Sequence, residues 1–237
     1  MKNKRFSILG DSLSTLAGYN PKGYKVFYDR YNFEKSGVKE MKDTWWGKVI
    51  NFYRGELLVN NSWSGSRVTK LPNRDRLFPS GCADERTSGL HINSIKPDVI
   101  IVYLGTNDWA YGVKRDDETR CFDDDEMEYF ESAYFEMLRK LKANYPNAVI
   151  WCCTISTTYM SANPRFIFPE IYKGSYIEYY NQAIRNIVAA CNCKLIDLYK
   201  YHLPYDSIDG THPNANGMNT LAALMIRSIG EEPGNRF

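Results

Sequence analysis

Five short apolar runs punctuate an otherwise polar chain: "RFSIL" from Arg5, "ELLVNN" from Glu56, "DVIIVYL" from Asp98, "AVIWCCT" from Ala148 and "KLIDL" from Lys194. Runs this short and this rich in Val, Ile and Leu suit strands buried on both faces, as parallel strands in an α/β sheet are. Between them the apolar period lengthens to that of helices. "DTWWGKVINFYRG" reads as a helix capped by Asp43 and ending near Gly55. Met127, Phe130, Tyr134, Met137, Leu138 and Leu141 mark one face of a longer helix, and Ile177, Tyr180, Ile184 and Val188 mark another. Met218, Leu221, Ala222, Met225 and Ile229 mark the last, with Asn214 as its cap.

Strand and helix alternate from end to end, which predicts a three-layer α/β/α, doubly wound parallel sheet with right-handed crossovers. No repeat or low-complexity linker interrupts the alternation, so residues 1–230 are expected to form a single domain with 231–237 as a short C-terminal tail. Three connections are longer than such a fold requires: Gly18 to Lys42, Trp109 to Asp125, and Thr157 to Lys173. Ligands of open α/β sheets sit beyond the carboxyl ends of the strands, where these loops should lie. The first loop carries Tyr19, Tyr24, Phe27, Tyr28, Tyr31 and Phe33. Those rings suit either a stacking surface for sugar or acyl groups or a loop packed on itself.

Composition narrows the partners. Among 237 residues, 30 basic and 28 acidic side chains give a net charge of +2 with neither sign in a long run, unlike a nucleic-acid binder or a polybasic membrane binder. "MKNKRF" leads directly into the first apolar segment, and no run approaches the roughly eighteen apolar residues of a membrane span. The expectation is a cytoplasmic protein without stable membrane insertion, acting on a small molecule. Its six cysteines lack C-x-x-C spacing and read as free thiols.

The candidate chemistry lies at the strand ends. "GDSLS" follows the first strand, "NNSWSGSR" the second and "GTND" the third, and "DGTHPNANG" precedes the last helix. A serine hydroxyl needs a general base oriented by a third group. Of three histidines, His91 falls in "TSGLHINSIKP", read as a helix with no acid close by, and His202 in a loop. His212 stands three residues after Asp209, a spacing that lets the carboxylate reach Nδ1 and leaves Nε2 for a serine. Acyl transfer also needs donors for a developing oxyanion. Candidates are the Ser12 backbone N–H, at what reads as a strand-to-helix turn, the Gly65 N–H, and the Asn107 side-chain amide. The same Asp209 and Gly210 would serve as a plain turn, and Asn214 as a plain cap.

These four blocks, in this order, resemble the SGNH hydrolase, or GDSL, superfamily. The resemblance implies a flavodoxin-like sheet of five parallel strands in the order 2-1-3-4-5 and a serine esterase mechanism with neither metal nor cofactor. It implies Ser12, Asp209 and His212 as catalytic residues and Ser12, Gly65 and Asn107 as the oxyanion hole. Trp63 and Ser64 separate "NNS" from the glycine, a departure that bears on the shape of that turn. Ser14 is the poorer nucleophile candidate, expected inside a helix, and Asp11 and Asp108 read as loop-shaping acceptors. The expected substrate is a carboxylic ester, such as an acetylated carbohydrate. A lipid acylhydrolase of lysophospholipase or thioesterase type and a non-catalytic carbohydrate-binding protein are the alternatives. "FDDDE" from Phe122 offers a metal-binding cluster for phosphoester cleavage, but reads better as the acidic first turn of the long helix.

Overall fold

The computed structural model describes residues 2–70, 79–116 and 125–232. Its central sheet has five parallel strands, β1 (Arg5–Gly10), β2 (Glu56–Ser62), β3 (Val99–Tyr103), β4 (Val149–Cys153) and β5 (Lys194–Ile196), ordered β2-β1-β3-β4-β5. The helices are α1 (Trp45–Phe52), α2 (Asp84–Ser88), α3 (Thr106–Tyr111), α4 (Phe130–Asn144), α5 (Ile177–Ala190) and α6 (Ala215–Glu231), besides shorter turns.

The period of two along each strand sorts side chains between two cores. Ile100 and Val102 of β3 and Cys152 of β4 face one side, packed with Met137, Leu138, Ile184 and Val188 from α4 and α5. Val99, Ile101 and Tyr103, with Trp151, face the other, packed with Trp46, Val49, Leu221 and Met225 from α1 and α6. Both faces are therefore dry, which is why these strands carry continuous apolar runs rather than alternation.

Register decides what meets at the carboxyl end. Gly10 pairs with Ser62 on one side and with Tyr103 on the other, so β1, β2 and β3 end level and release their loops side by side. β1 and β3 also flank the point where strand order reverses, the usual ligand crevice of doubly wound sheets.

Local boundaries differ from the sequence expectations in several places. The cap of α1 is Thr44, whose hydroxyl accepts from the Gly47 amide at 2.9 Å, whereas Asp43 closes a preceding 3-10 turn with Glu40. "SLS" after Asp11 is a single 3-10 turn, Ser12–Ser14, that runs into extended backbone at Thr15, so no helix starts there. α2 ends at Ser88, leaving His91 on the exposed turn that follows, where its Nδ1 lies 2.9 Å from the Ser88 carbonyl. Glu126–Glu128 form their own 3-10 turn, capped by Asp125, before α4 begins at Phe130, so this acidic stretch is not the first turn of the long helix; Phe122–Asp124 lie outside the described residues. Asn214 caps α6 as expected, through Gly217 N at 2.9 Å. That helix continues to Glu231, which binds Lys200 and Arg227, so the tail begins later than expected; residues beyond Glu232 lie outside the description. Among the described residues no helix is long and apolar enough to cross a membrane.

Candidate active site

Ser12 is 5% exposed at the start of the 3-10 turn that terminates β1. Asp11 holds that turn by accepting the Leu13 amide at 3.0 Å, and Thr15 closes it on the Ser12 carbonyl. The serine is thus presented by a tight turn at a strand end, with no helix dipole behind it.

Far along the sequence, the chain returns to meet it. Tyr205–Asp206 pairs with Thr158–Tyr159 beyond the main sheet, and an antiparallel bridge between Ser207 and Pro213 closes the loop between them. Inside that loop Ile208 N donates to the His212 carbonyl, and Asp209 Oδ1 accepts the amides of Thr211 and His212 at 3.0 and 2.8 Å. Asp209 Oδ2 then lies 2.7 Å from His212 Nδ1, and His212 Nε2 lies 2.9 Å from Ser12 Oγ. A proton on Nδ1 directed at the carboxylate leaves Nε2 as the acceptor for the serine O–H.

The turn requires its glycine. Gly210 has φ +86°, and a Cβ there would stand 2.8 Å from Phe166 Cζ. Burial pushes the Asp209 carboxyl up, but the His212 hydrogen bond, the imidazole charge and the two amides outweigh it and leave it below its ordinary value. Asp209 therefore stays ionised beside the imidazole at neutral pH.

The three expected donors differ in what they already bind. Gly65, at φ +84° in the Trp63–Ser66 turn, and Ser12 each carry a backbone amide that donates no hydrogen bond within the described residues. Asn107, in the first turn of α3, donates through Nδ2 to the Ser66 carbonyl at 2.9 Å and more loosely to Asp11 Oδ2 at 3.3 Å. The first bond positions the amide; the long second one leaves a proton that a stronger acceptor can take. Asp108, on the same helix, binds the Val68 and Thr69 amides and the Thr69 hydroxyl at 2.9 to 3.1 Å, acting as the loop-shaping acceptor expected of it. Burial raises Asp11 to about 7. Ser14 is buried with an unpartnered Oγ and ends the turn rather than sitting within a helix.

Ser12, Asn107, Asp209 and His212 open onto a cleft of about 420 Å³ walled by Trp109, Phe166, Phe168 and Tyr172. Trp109 stacks on Phe168 at 5.3 Å and anchors its Nε1 on the Ser175 carbonyl. The Thr157–Lys173 connection thus supplies three of these four wall residues, as its position after β4 predicts, and α3 supplies Trp109. The aromatic loop 19–42 does not line this cleft. Instead Tyr28 is buried with its hydroxyl on the Pro213 carbonyl at 2.7 Å, and Phe27 stacks on the His212 ring. Sequence reasoning found the loop but not this task, because nothing local says which ring a loop aromatic will meet. Among the described residues no group of three or more His, Cys, Asp or Glu could hold a metal ion.

A serine, imidazole and carboxylate in hydrogen-bonded series at the carboxyl edge of a parallel sheet are the equipment of a serine hydrolase. The sequence profile of the GDSL-like lipase/acylhydrolase family matches residues 4–165, and the chain belongs to that family. Among solved structures it resembles a GDSL-like lipase candidate from Bacteroides uniformis, at 27% identity and TM-score 0.73 over 97% of both chains. A second such candidate, from Bacteroides ovatus, is 24% identical with TM-score 0.73, covering 98% of this chain and 100% of its own. A carbohydrate acetylesterase from Sinorhizobium meliloti shares the fold at 15% identity and TM-score 0.60, over 95% of this chain and 98% of its own. No curated protein matches.

Proposed function

We propose that the protein hydrolyses carboxylic esters through an acyl-enzyme on Ser12, and that its substrates are acetylated carbohydrates. The observation that carries the reading is the continuous series Asp209 Oδ2, His212 Nδ1, His212 Nε2 and Ser12 Oγ, with contacts of 2.7 and 2.9 Å. His212 takes the Ser12 proton as Oγ attacks the ester carbonyl. The tetrahedral oxyanion is met by the amides of Ser12 and Gly65 and by Asn107 Nδ2, which exchanges its long contact to Asp11 for a charge-assisted one. His212 then protonates the departing alkoxide, and water attacks the acyl-enzyme by the same route. Residues 1–230 act as one unit in this scheme, since nucleophile and base come from opposite ends of the chain.

The preference for a carbohydrate ester rests on the cleft. Phe168, backed by the buried Trp109, and the exposed Tyr172 line it with rings a sugar could pack against, and about 420 Å³ suits one or two sugar residues better than a long acyl chain. Fold relatives described as a carbohydrate acetylesterase and an acetyl xylan esterase point the same way. A panel of p-nitrophenyl esters with acyl chains of two to twelve carbons, run beside acetylated xylan and other acetylated sugars, tests the reading. Release of acetate from the sugars and a steep fall in rate with chain length are expected, with all turnover lost in Ser12→Ala. Retained activity in that variant would overturn the nucleophile, and a preference for long chains would favour a lipid acylhydrolase.

A further inference from the structure

Arg86, in α2, is completely buried and has no carboxylate within ion-pair distance among the described residues. Its guanidinium instead donates to four neutral oxygens. Nη1 reaches Ser66 Oγ at 2.8 Å and the Pro79 carbonyl at 2.9 Å, and Nη2 reaches the carbonyls of Gly10 and Asn61, both at 3.0 Å. Nε is buried without a partner, and the Tyr24 ring stands 6.0 Å from Cζ. Burial draws the Arg86 pKa down to about 10, still well above neutral pH, so the group remains cationic.

Such a charge is costly. A buried ion satisfied only by neutral dipoles recovers only part of its lost hydration, and a neutral amide side chain, with two N–H donors, could satisfy no more than two of these four oxygens. The identity of the four acceptors indicates what the charge does. Gly10 lies two residues before Ser12, Asn61 is at the end of β2, and Ser66 directly follows Gly65. The Ser66 carbonyl in turn holds Asn107 Nδ2 at 2.9 Å. Every donor assigned to the oxyanion hole is therefore within two residues, or one hydrogen bond, of an atom or residue that Arg86 grips.

We infer that Arg86 is a positioning residue for the oxyanion hole: it clamps the ends of β1 and β2 and the Gly65 turn in one arrangement, and its positive charge, in direct ion pair with no carboxylate among the described residues, lowers the cost of forming an anion beside them. The inference rests on the esterase reading above. It concerns a residue inside the protein that touches no substrate, so it acts on the transition state rather than on substrate binding.

The test compares Arg86→Met, which keeps bulk but removes charge and donors, with Arg86→Lys, which keeps charge but not the fork. Turnover of p-nitrophenyl acetate is measured per active site titrated with a fluorophosphonate, so that misfolded protein does not count. For Arg86→Met, kcat is expected to fall about 10²-fold while KM moves by less than about threefold, as for loss of an oxyanion donor. Arg86→Lys should recover about tenfold of that loss. A kcat per titrated site within about threefold of the unsubstituted protein overturns the inference, because a residue needed only for folding would leave that same pattern. Should Arg86→Met fail to fold, Arg86→Lys and Ser66→Ala carry the test: a drop in kcat of about tenfold at constant KM supports the clamp, and unchanged kcat in both overturns it. If the unsubstituted protein turns over no ester at all, the esterase reading falls and this inference with it. An active parent with undiminished variants removes this inference alone.

Discussion

Phe27 lies flat against the imidazole of His212, with ring centroids 3.5 Å apart and planes 5° from parallel. Its backbone is pinned by Thr15 Oγ1 at 2.9 Å, just past the turn that presents Ser12, so one loop supports both Ser12 and His212. Phe27→Ala removes this wall without touching the substrate cleft. An aromatic pair contributes roughly 0.5–1.5 kcal/mol beyond its area. On that scale kcat for a short ester should fall about two- to twelvefold while KM stays near its original value, as steady-state kinetics would reveal.

Asp209→Asn alters the proton inventory rather than the shape. An amide at 209 can still accept from the Thr211 and His212 backbone, but it no longer stabilises an imidazolium and can hold the ring in the wrong tautomer. The expected loss in kcat is on the order of 10⁴-fold, as in other Ser-His-Asp systems. Circular dichroism should show an unchanged fold.

Asp11 carries a pH signature. Its folded-state carboxyl is raised from 3.8 to about 7 by burial, so the folded chain holds a proton that the unfolded chain has already released. Between about pH 4 and pH 7 the unfolded state binds fewer protons, and stability must fall as pH rises through that window. Asp11→Asn keeps an oxygen for the Leu13 amide and removes the titration. Urea midpoints of the two proteins, measured side by side, should therefore diverge in favour of the Asp11→Asn variant as pH rises from about 4 to about 7. Above that range the carboxylate is ionised in both states of the unsubstituted protein, and the difference should level off.

The cleft walls make a separable prediction. Phe168→Ala strips the ring stacked on Trp109 but leaves the serine, its base and its donors untouched. A lost stacking face near 1 kcal/mol, against about 1.4 kcal/mol per tenfold, should raise KM for an acetylated oligosaccharide about fivefold. Turnover of p-nitrophenyl acetate should stay within about twofold, because the groups that meet its transition state are unchanged.

Much of this is readable from the chain. Five strands, their alternation with helices and the meeting of Ser12 with Asp209 and His212 are legible in short apolar runs and in polar clusters placed at their ends, while the strand order is what the family resemblance implies. Local chemistry sets those, and the sheet's register does the rest. What sequence could not supply were relationships decided only by packing. "GDSLS" contains the residues of a helix start, yet Leu13 and Leu16 are drawn into the core under α1 and the chain opens out after one 3-10 turn. Thr44 rather than Asp43 caps α1 because Asp43 is already engaged with the Lys39 and Glu40 amides. Nothing in the sequence singles out Arg86, and only the fold turns it inward toward Gly10 and Ser66.

The closed turn from Ser207 to Pro213 divides the vulnerability of the site unequally. Asp209 and His212 share one small ring of chain, cross-braced by its own amides, so they travel together and their separation is insensitive to what happens elsewhere. The contact to Ser12 has no such insurance: it spans two parts of the fold and depends on how α6 and the Phe27 loop seat that ring against β1. A distant substitution that loosens α6 should therefore leave a correctly paired imidazole aimed slightly past its serine, with the Asp209–His212 contact kept and the contact to Ser12 lost.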